Sequence, residues 1–224
     1  MFKIPNILNP KELFKTVSPI SGEIKVVQIG KEKRLVVGGY VQSINWDCPG
    51  VEKRVWGKMA NLALESNVNG KKILLLGLGA GTIVGLLYSK NPLLEITTIE
   101  LDKDIIEIAN NYFDLLKFKN LKIINGDVLD PAIFNNFCDM DFIFVDVYCG
   151  GTFPEKIWNK DFFDRLKKRL SKDGYVIFNR ILDVSSNRII DETKGFLLNF
   201  FSKVEFEKVN AVGSEGNVLF LCKK

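Results

Sequence analysis

From Lys71 onward the chain alternates short, mainly apolar runs with segments of helical spacing. The runs are Ile73–Gly77, Glu95–Ile99, Leu121–Ile124, Phe142–Val145 and Tyr175–Phe178. Apolar runs this short, bounded by turn residues, describe strands buried on both faces, as in a parallel sheet. The segments between them, Ile83–Ser89, Lys103–Phe113, Pro131–Phe137 and Asp161–Leu170, read as helices. Parallel neighbours need a long crossover that covers one face of the sheet, so the alternation predicts βαβ units and a doubly wound α/β fold.

Both ends of the chain depart from this rhythm. Glu23–Ile29 and Arg34–Val37 are strand-like and flank a Gly30-Lys31-Glu32-Lys33 turn, with Tyr40–Ser43 continuing the second arm. Residues 1–50 are therefore expected to form a small antiparallel hairpin region, and residues 51–224 the α/β unit. Pro49-Gly50 breaks the chain before a helix from about Val51 to Glu65, and Asn67–Gly70 breaks it again. At the other end, a helix over about Ser185–Phe201 leads to Val204–Val209, a Gly213-Ser214-Glu215-Gly216 turn and Asn217–Leu221. Two strands joined by a short turn form a hairpin, so one of them runs against the sheet. That ending is similar to class I methyltransferase folds and unlike nicotinamide-binding Rossmann domains.

Composition excludes several chemistries. The 224 residues are 46% hydrophobic and 26% charged, a globular balance. No histidine occurs, which removes Ser-His-Asp and Cys-His machinery and any His-ligated metal. Cys48, Cys138, Cys149 and Cys222 are scattered without a CxxC pair, so neither a zinc knuckle nor a disulfide framework is indicated. The net charge of +4 is mild. Its densest stretches, Lys31–Arg34 and Arg165–Arg169, read as a turn and a wet helix face, so no nucleic-acid partner is expected. Met1–Pro5 lacks a signal-peptide pattern, and the run Ile73–Tyr88 is shorter than the ~20 residues a membrane helix needs. A soluble cytoplasmic protein with reduced thiols, no membrane association and no metal is the expectation.

The segment Gly77-Leu78-Gly79-Ala80-Gly81-Thr82 joins a strand to a helix. Its glycines allow a sharp turn and close approach of a ligand to the backbone, while the helix start offers free N–H groups. Strand–helix packing alone is the competing explanation. Glu100 ends the second strand, where a carboxylate can accept hydrogen bonds from both ribose hydroxyls. Asp102 is expected to cap the next helix. Asp127 follows the third strand and can receive an exocyclic adenine amine, with Asp130 better placed to cap the helix at Pro131. Gly77, Gly79, Gly81, Glu100 and Asp127 occupy successive strand ends, which predicts a nucleoside cofactor. Asp146, after Phe142-Ile143-Phe144-Val145, opens a Gly-rich loop at the same crevice and can orient an amine nucleophile or take its proton. Anchoring of that loop is the alternative.

Together the Val41-Gln42-Ser43 hairpin, the glycine loop, Glu100-Leu101-Asp102, Gly126-Asp127 and the strand ending at Asp146 resemble the spermidine synthase family and its methyltransferase-like relatives. The resemblance implies that Gln42 contacts the nucleoside, that Glu100 and Asp127 hold ribose and adenine, and that Asp146 is catalytic. The departures bear on substrate. Polyamine synthases carry GGGDGG, and Ala80 stands at its Asp. The second Asp of their DSSDP loop is here Cys149, and their Tyr-His-Glu appears as Trp56-Gly57-Lys58. A dicationic substrate needs several carboxylates to replace its hydration. These changes therefore favour the spermidine-synthase-like methyltransferases. Intact S-adenosylmethionine, whose carboxylate an Asp at position 80 would repel, suits Ala80.

The expectation is an S-adenosylmethionine-dependent methyltransferase acting on a small-molecule or protein amine. Aminopropyl transfer from decarboxylated S-adenosylmethionine to a polyamine, or a catalytically silent nucleoside-binding homologue, are the alternatives. Tyr148 and Trp56 are candidates for the substrate pocket, and Trp158 for its wall, against an ordinary core role for the tryptophans. Asn179 and Arg180 stand near the rim without an assigned role. The related synthases also imply a possible homodimer.

Overall fold

The computed structural model describes residues 10–212 and 215–224. Its centre is a seven-stranded sheet made of β5 (Lys72–Leu76), β6 (Glu95–Glu100), β7 (Leu121–Asn125), β8 (Met140–Val145), β9 (Leu170–Asp183), β10 (Lys203–Val212) and β11 (Glu215–Lys223). The strands lie in the order β10-β11-β9-β8-β5-β6-β7. β5 through β9 pair in parallel, and β11 runs antiparallel to both β9 and β10. This is the class I methyltransferase arrangement, a Rossmann-like sheet that ends in an antiparallel hairpin.

Alternate residues of each apolar run serve opposite faces. In β5, Ile73 and Leu75 enter one core with α1 (Val55–Ser66) and α2 (Thr82–Lys90), while Leu74 and Leu76 enter another with α5 (Lys160–Arg169) and α6 (Asn187–Leu197). Side chains point to alternating faces along a strand, so a strand covered on both sides must be apolar throughout. Each fully buried leucine of this kind contributes about 1.5–3 kcal/mol. Two further helices complete the unit: α3 (Lys103–Tyr112), capped by Asp102, which accepts from the N–H of Asp104, and the single-turn α4 (Pro131–Phe134), capped by Asp130.

A second sheet covers the carboxyl-end side. It is an antiparallel meander of β1 (Lys11–Ser18), β2 (Gly22–Ile29), β3 (Glu32–Val37) and β4 (Tyr40–Ile44). Ile24, Val26, Leu35 and Val37 from its inner face pack on Ile105, Ile108 and Phe113.

The structure adds to the sequence expectation in three places. β1 was not foreseen: Lys11-Glu12, Leu13-Phe14 and Lys15-Thr16-Val17-Ser18 mix charged, polar and apolar residues without a regular period, and this edge strand buries only Ser18, so no apolar run marks it. β9 begins at Leu170, directly after α5, and runs far beyond the apolar segment 175–178 because its outer half pairs with β11. α6 is shorter than the expected helix at both ends. Of the expected Gly213–Gly216 turn, Gly213 and Ser214 lie outside the described residues, and Glu215 and Gly216 belong to β11. Among the described residues no helix is long and apolar enough to cross a membrane.

Candidate active site

In open α/β sheets the crevice for ligands lies at the carboxyl ends of the strands, where the strand order reverses. Here the order reverses between β5 and β8. A cavity of about 700 Å³ opens at that point, and Gly77, Gly79, Glu100, Asp127 and Asp146 contribute to its wall.

The glycine loop leaves β5 with Gly77 at φ +89°, Gly79 at +54° and Gly81 at +76°. These are left-handed conformations that side chains resist. Gly77 and Gly79 line the cavity, while Ala80 and Gly81 do not. The turns at Gly79 and Gly81 swing residue 80 away from the crevice, so Ala80 is buried among Ile24, Val37 and Ile105. Gly81 stands before the first turn of α2, packed against Leu115. With its side chain in the core, Ala80 does not meet the donor and gives no preference for a carboxylated one, contrary to the expectation from sequence.

Glu100 closes β6. Its Oε2 accepts the N–H of Leu78 at 2.9 Å and its Oε1 that of Asp102 at 3.0 Å. Burial pushes this carboxyl upward, against the opposing pull of the backbone donors from Asp102, Leu78 and Gly79. A carboxylate has about four lone-pair directions, so these backbone donors leave it capacity to accept from a ribose hydroxyl. Asp127 Oδ1 accepts the N–H of Leu129 at 2.8 Å, which fixes this acid at the cavity wall. The acceptor set fits a nucleoside: the Glu100 carboxylate, that of Asp127, and half-buried loop backbone at Gly77 and Gly79 beside them.

The meander sheet is fastened over this loop. Ser43 and Thr82 share a hydroxyl hydrogen bond of 2.7 Å, and the N–H of Ile44 donates to Thr82 Oγ1 at 3.1 Å. Ser18 Oγ donates to Asp102 Oδ2 at 2.5 Å. Gln42, in the cavity wall, donates its side-chain amide to the carbonyl of Gly150 and so ties β4 to the loop after β8.

Asp146 follows β8 and its N–H donates to the carbonyl of Leu76 at 3.0 Å, which sets it level with the start of the glycine loop. Its Oδ1 accepts from Asn179 Nδ2 at 2.8 Å. Burial pushes the Asp146 carboxyl up to about 6, with the Asn179 hydrogen bond pulling the other way. Tyr148 lines the cavity, but its hydroxyl is engaged: it donates to the carbonyl of Asn179 at 3.2 Å and accepts from the N–H of Ile181 at 2.9 Å. Burial raises the phenol further, so it stays neutral. Trp56 forms part of the wall and is otherwise core. Cys149 is exposed at the mouth.

Trp158 is not in the wall. It packs at 5.0 Å on Phe163 and 5.5 Å on Phe196, and the Arg180 guanidinium lies over Trp158 and Phe153 at 4.4 and 3.9 Å. An aromatic cluster beneath α5 and α6 claims both residues. Asn179, unassigned from sequence, touches Asp146 directly. Asn217, which sequence reasoning did not single out, lines the same cavity. Among the described residues no group of three or more His, Cys, Asp or Glu gathers to hold a metal ion.

Fold and site together define an α/β protein with the class I methyltransferase fold and a carboxylate, Asp146, in the wall of its strand-end crevice. The spermine/spermidine synthase domain family matches residues 52–218, and the chain belongs to that family. It is 25% identical over 189 residues to the polyamine aminopropyltransferase of Vibrio vulnificus, covering 82% of this chain and 61% of that protein. The chain thus spans about three-fifths of that relative's length. An N-terminal histidine N-methyltransferase of Emericella nidulans is 30% identical over 118 residues, 52% of this chain and 21% of that protein. Among solved structures, a spermidine synthase in complex with the transition-state analogue AdoDATO superposes with a TM-score of 0.77 at 15% identity, covering 96% of this chain and 74% of that one.

Proposed function

We propose that this chain transfers an alkyl group from a sulfonium nucleoside of the S-adenosylmethionine type to an amine held against Asp146. The observation that carries the reading is the half-buried carboxylate of Asp146, held by Asn179 in the wall of the crevice at the strand-order reversal and pushed up to about 6 by burial. Aminopropyl transfer from the decarboxylated donor leads, on the name of the Vibrio vulnificus relative and on the family.

Methyl transfer from S-adenosylmethionine is the second reading, and one observation favours it. Apart from Glu100, Asp102 and Asp127 at the ends of β6 and β7, Asp146 is the only carboxylate in the described cavity wall, which also carries Arg34, Arg54 and Lys156. A polyamine dication would find one carboxylate at the acceptor end where it needs several. The Emericella nidulans relative is named for this second chemistry.

What the sulfonium donor supplies when bound is an activated carbon: the new N–C bond forms as the C–S bond breaks and sulfur keeps the electron pair. Glu100 and Asp127 hold ribose and adenine, and Gly77 and Gly79 let the donor approach the backbone. Asp146 in its ionised form accepts a hydrogen bond from the acceptor amine, aims its lone pair and takes its proton, directly or through water. Gln42 keeps the loop after β8 against the cavity.

The test incubates the protein with either donor and two acceptors, an aliphatic diamine and a lysine-bearing peptide, and reads product mass. Gain of an aminopropyl group on the diamine establishes the leading reading, and gain of a methyl group on either acceptor the second. Thermal stabilisation by each donor, worth about 2.7 kcal/mol at a hundredfold excess over Kd, reports binding separately. No binding and no transfer with either donor would remove the transferase reading.

A further inference from the structure

Three adjacent strands place Asp146, Asn179 and Asn217 in one row. Val145 pairs with Phe178 across β8 and β9, which sets Asp146 level with Asn179. Asn179 pairs with Leu219 across β9 and β11, and Asn217 with Ile181, so Asn179 and Asn217 are diagonal neighbours on one face. Their side chains meet: Asn217 Nδ2 donates to Asn179 Oδ1 at 2.9 Å, and Asn179 Nδ2 donates to Asp146 Oδ1 at 2.8 Å. Asn179 is 4% exposed, so water does not replace either bond freely.

We propose that Asn217 is a positioning residue that fixes the amide orientation of Asn179 and thereby holds Asp146 in its ionised, acceptor-ready form. The inference rests on the transferase reading for its purpose, while the relay itself is a property of the folded chain.

An ionised carboxylate only accepts, so it requires the NH₂ end of Asn179. The carbonyl end of Asn179 must then find a donor in a buried place, and Asn217 provides one. Without that donor, Asn179 can turn over and present its carbonyl to Asp146. A carbonyl facing a carboxyl group favours the protonated form, which can donate to it, and a protonated Asp146 cannot receive an amine proton. Arg34, Arg54, Lys156, Glu100, Asp102 and Asp127 line the same cavity, but Asn179 is the side chain that touches the Asp146 carboxylate, and the nearby Tyr148 hydroxyl is occupied by the backbone of Asn179 and Ile181. The relay leaves Oδ2 of Asp146 for the acceptor, since Asn179 engages Oδ1.

The test is a carboxyl ¹³C NMR titration of Asp-labelled protein, with the Asp146 signal assigned by its loss in Asp146→Asn. In Asn217→Leu, which keeps the shape and removes the donor, the Asp146 midpoint is expected to rise by about one pH unit, as a lost charge-assisted hydrogen bond implies. The rising limb of the pH–rate profile should move by the same amount. Asn217→Gln, which retains an amide donor, should bring the midpoint back towards the wild-type value. An unmoved midpoint in folded Asn217→Leu, or equal shifts in the Leu and Gln variants, would overturn the proposal.

Should Asn217→Leu fail to fold, the unmutated protein still decides. The ¹⁵N side-chain amide signals of Asn179 and Asn217 should both inflect at the Asp146 midpoint, and a flat Asn217 signal would overturn the relay. None of these titrations needs turnover. An inactive wild-type protein with the expected midpoints therefore sinks the transferase reading and leaves the relay standing.

Discussion

A β-carbon placed on Gly77 would stand 2.2 Å from the carbonyl oxygen of Asp146. The residue that starts the nucleoside loop and the residue assigned to the reaction thus share a contact that admits no side chain. Gly77→Ala must push the loop after β8 outward, and at φ +89° it also strains its own backbone. We expect a loss of about 1–3 kcal/mol in urea unfolding, with turnover falling more than donor binding. Unchanged turnover would show that the contact does not hold Asp146 in register.

Asp146→Asn should retain donor binding and lose turnover, because an amide neither accepts the amine proton nor draws the amine lone pair into line. The same variant should be more stable than the wild type near pH 8. Asp146 is pushed from 3.8 to about 6 in the fold. A carboxyl raised in the folded state favours folding less as pH climbs from the unfolded to the folded value, and the deficit is complete above the folded value. The full shift corresponds to roughly 3 kcal/mol, and water in the cavity reduces it, so a gain of about 1–2 kcal/mol is expected. Thermal unfolding of both proteins at pH 3 and pH 8 measures it. The gain should vanish at the acid end.

The same raised carboxyl sets the acid limb of activity. If ionised Asp146 receives the amine proton, the rate at saturating amine should rise with pH through about 6. Substitution of Asn179 by Ala removes the hydrogen bond that opposes the rise, so the limb should move to higher pH. A limb fixed at the wild-type position in Asn179→Ala would detach Asp146 from the rate-determining protonation.

Glu100→Gln keeps the volume and removes an acceptor. One end of the new amide must face the N–H of Leu78 or of Asp102, donor against donor. A cost of about 1–3 kcal/mol in stability is expected, together with weaker donor binding, read by chemical denaturation and calorimetry. Loss of stability without loss of donor affinity would assign Glu100 to the loop alone.

Ser18→Ala removes the hydroxyl that donates to Asp102, the cap of α3. Both partners are buried, so an unmet carboxylate acceptor remains, and a loss of about 1–2 kcal/mol is expected in denaturant unfolding. An unchanged midpoint would mean that the cap is satisfied without the meander sheet.

The central sheet was legible in the sequence because strands buried on both faces cannot hide: Leu74 and Leu75 serve opposite cores and both must be apolar. β1 was not, since an edge strand needs little apolar surface and the irregularity between Glu12 and Phe14 breaks any two-residue period. At the site, Gly77, Glu100, Asp127 and Asp146 could be read because each ends or follows a strand, and strand ends converge in this topology. Ala80 misled because spacing along a loop does not tell which way a side chain faces, and two left-handed glycines turned it inward. Asn217 left no local signal. Its meaning depends on the register of β9 against β11, a pairing between residues 38 positions apart that no short motif encodes.

The fastening of the meander to the loop beneath it has a consequence for how the crevice admits its ligands. Ser43 is tied to Thr82, Ser18 to Asp102 and Gln42 to Gly150. The first two ties end at the starts of α2 and α3, the rigid parts of the structure. The third ends on a loop held to the sheet mainly by its own turn between Cys149 and Thr152. The four-stranded sheet is therefore anchored at two helix starts, whereas the short segment from Cys149 to Thr152 meets it through side-chain hydrogen bonds to loop residues. Gln42 from β4, and the Cys149 thiol against the carbonyl of Ile20, tie that segment to the sheet above it, so both contacts must part before the segment can swing away.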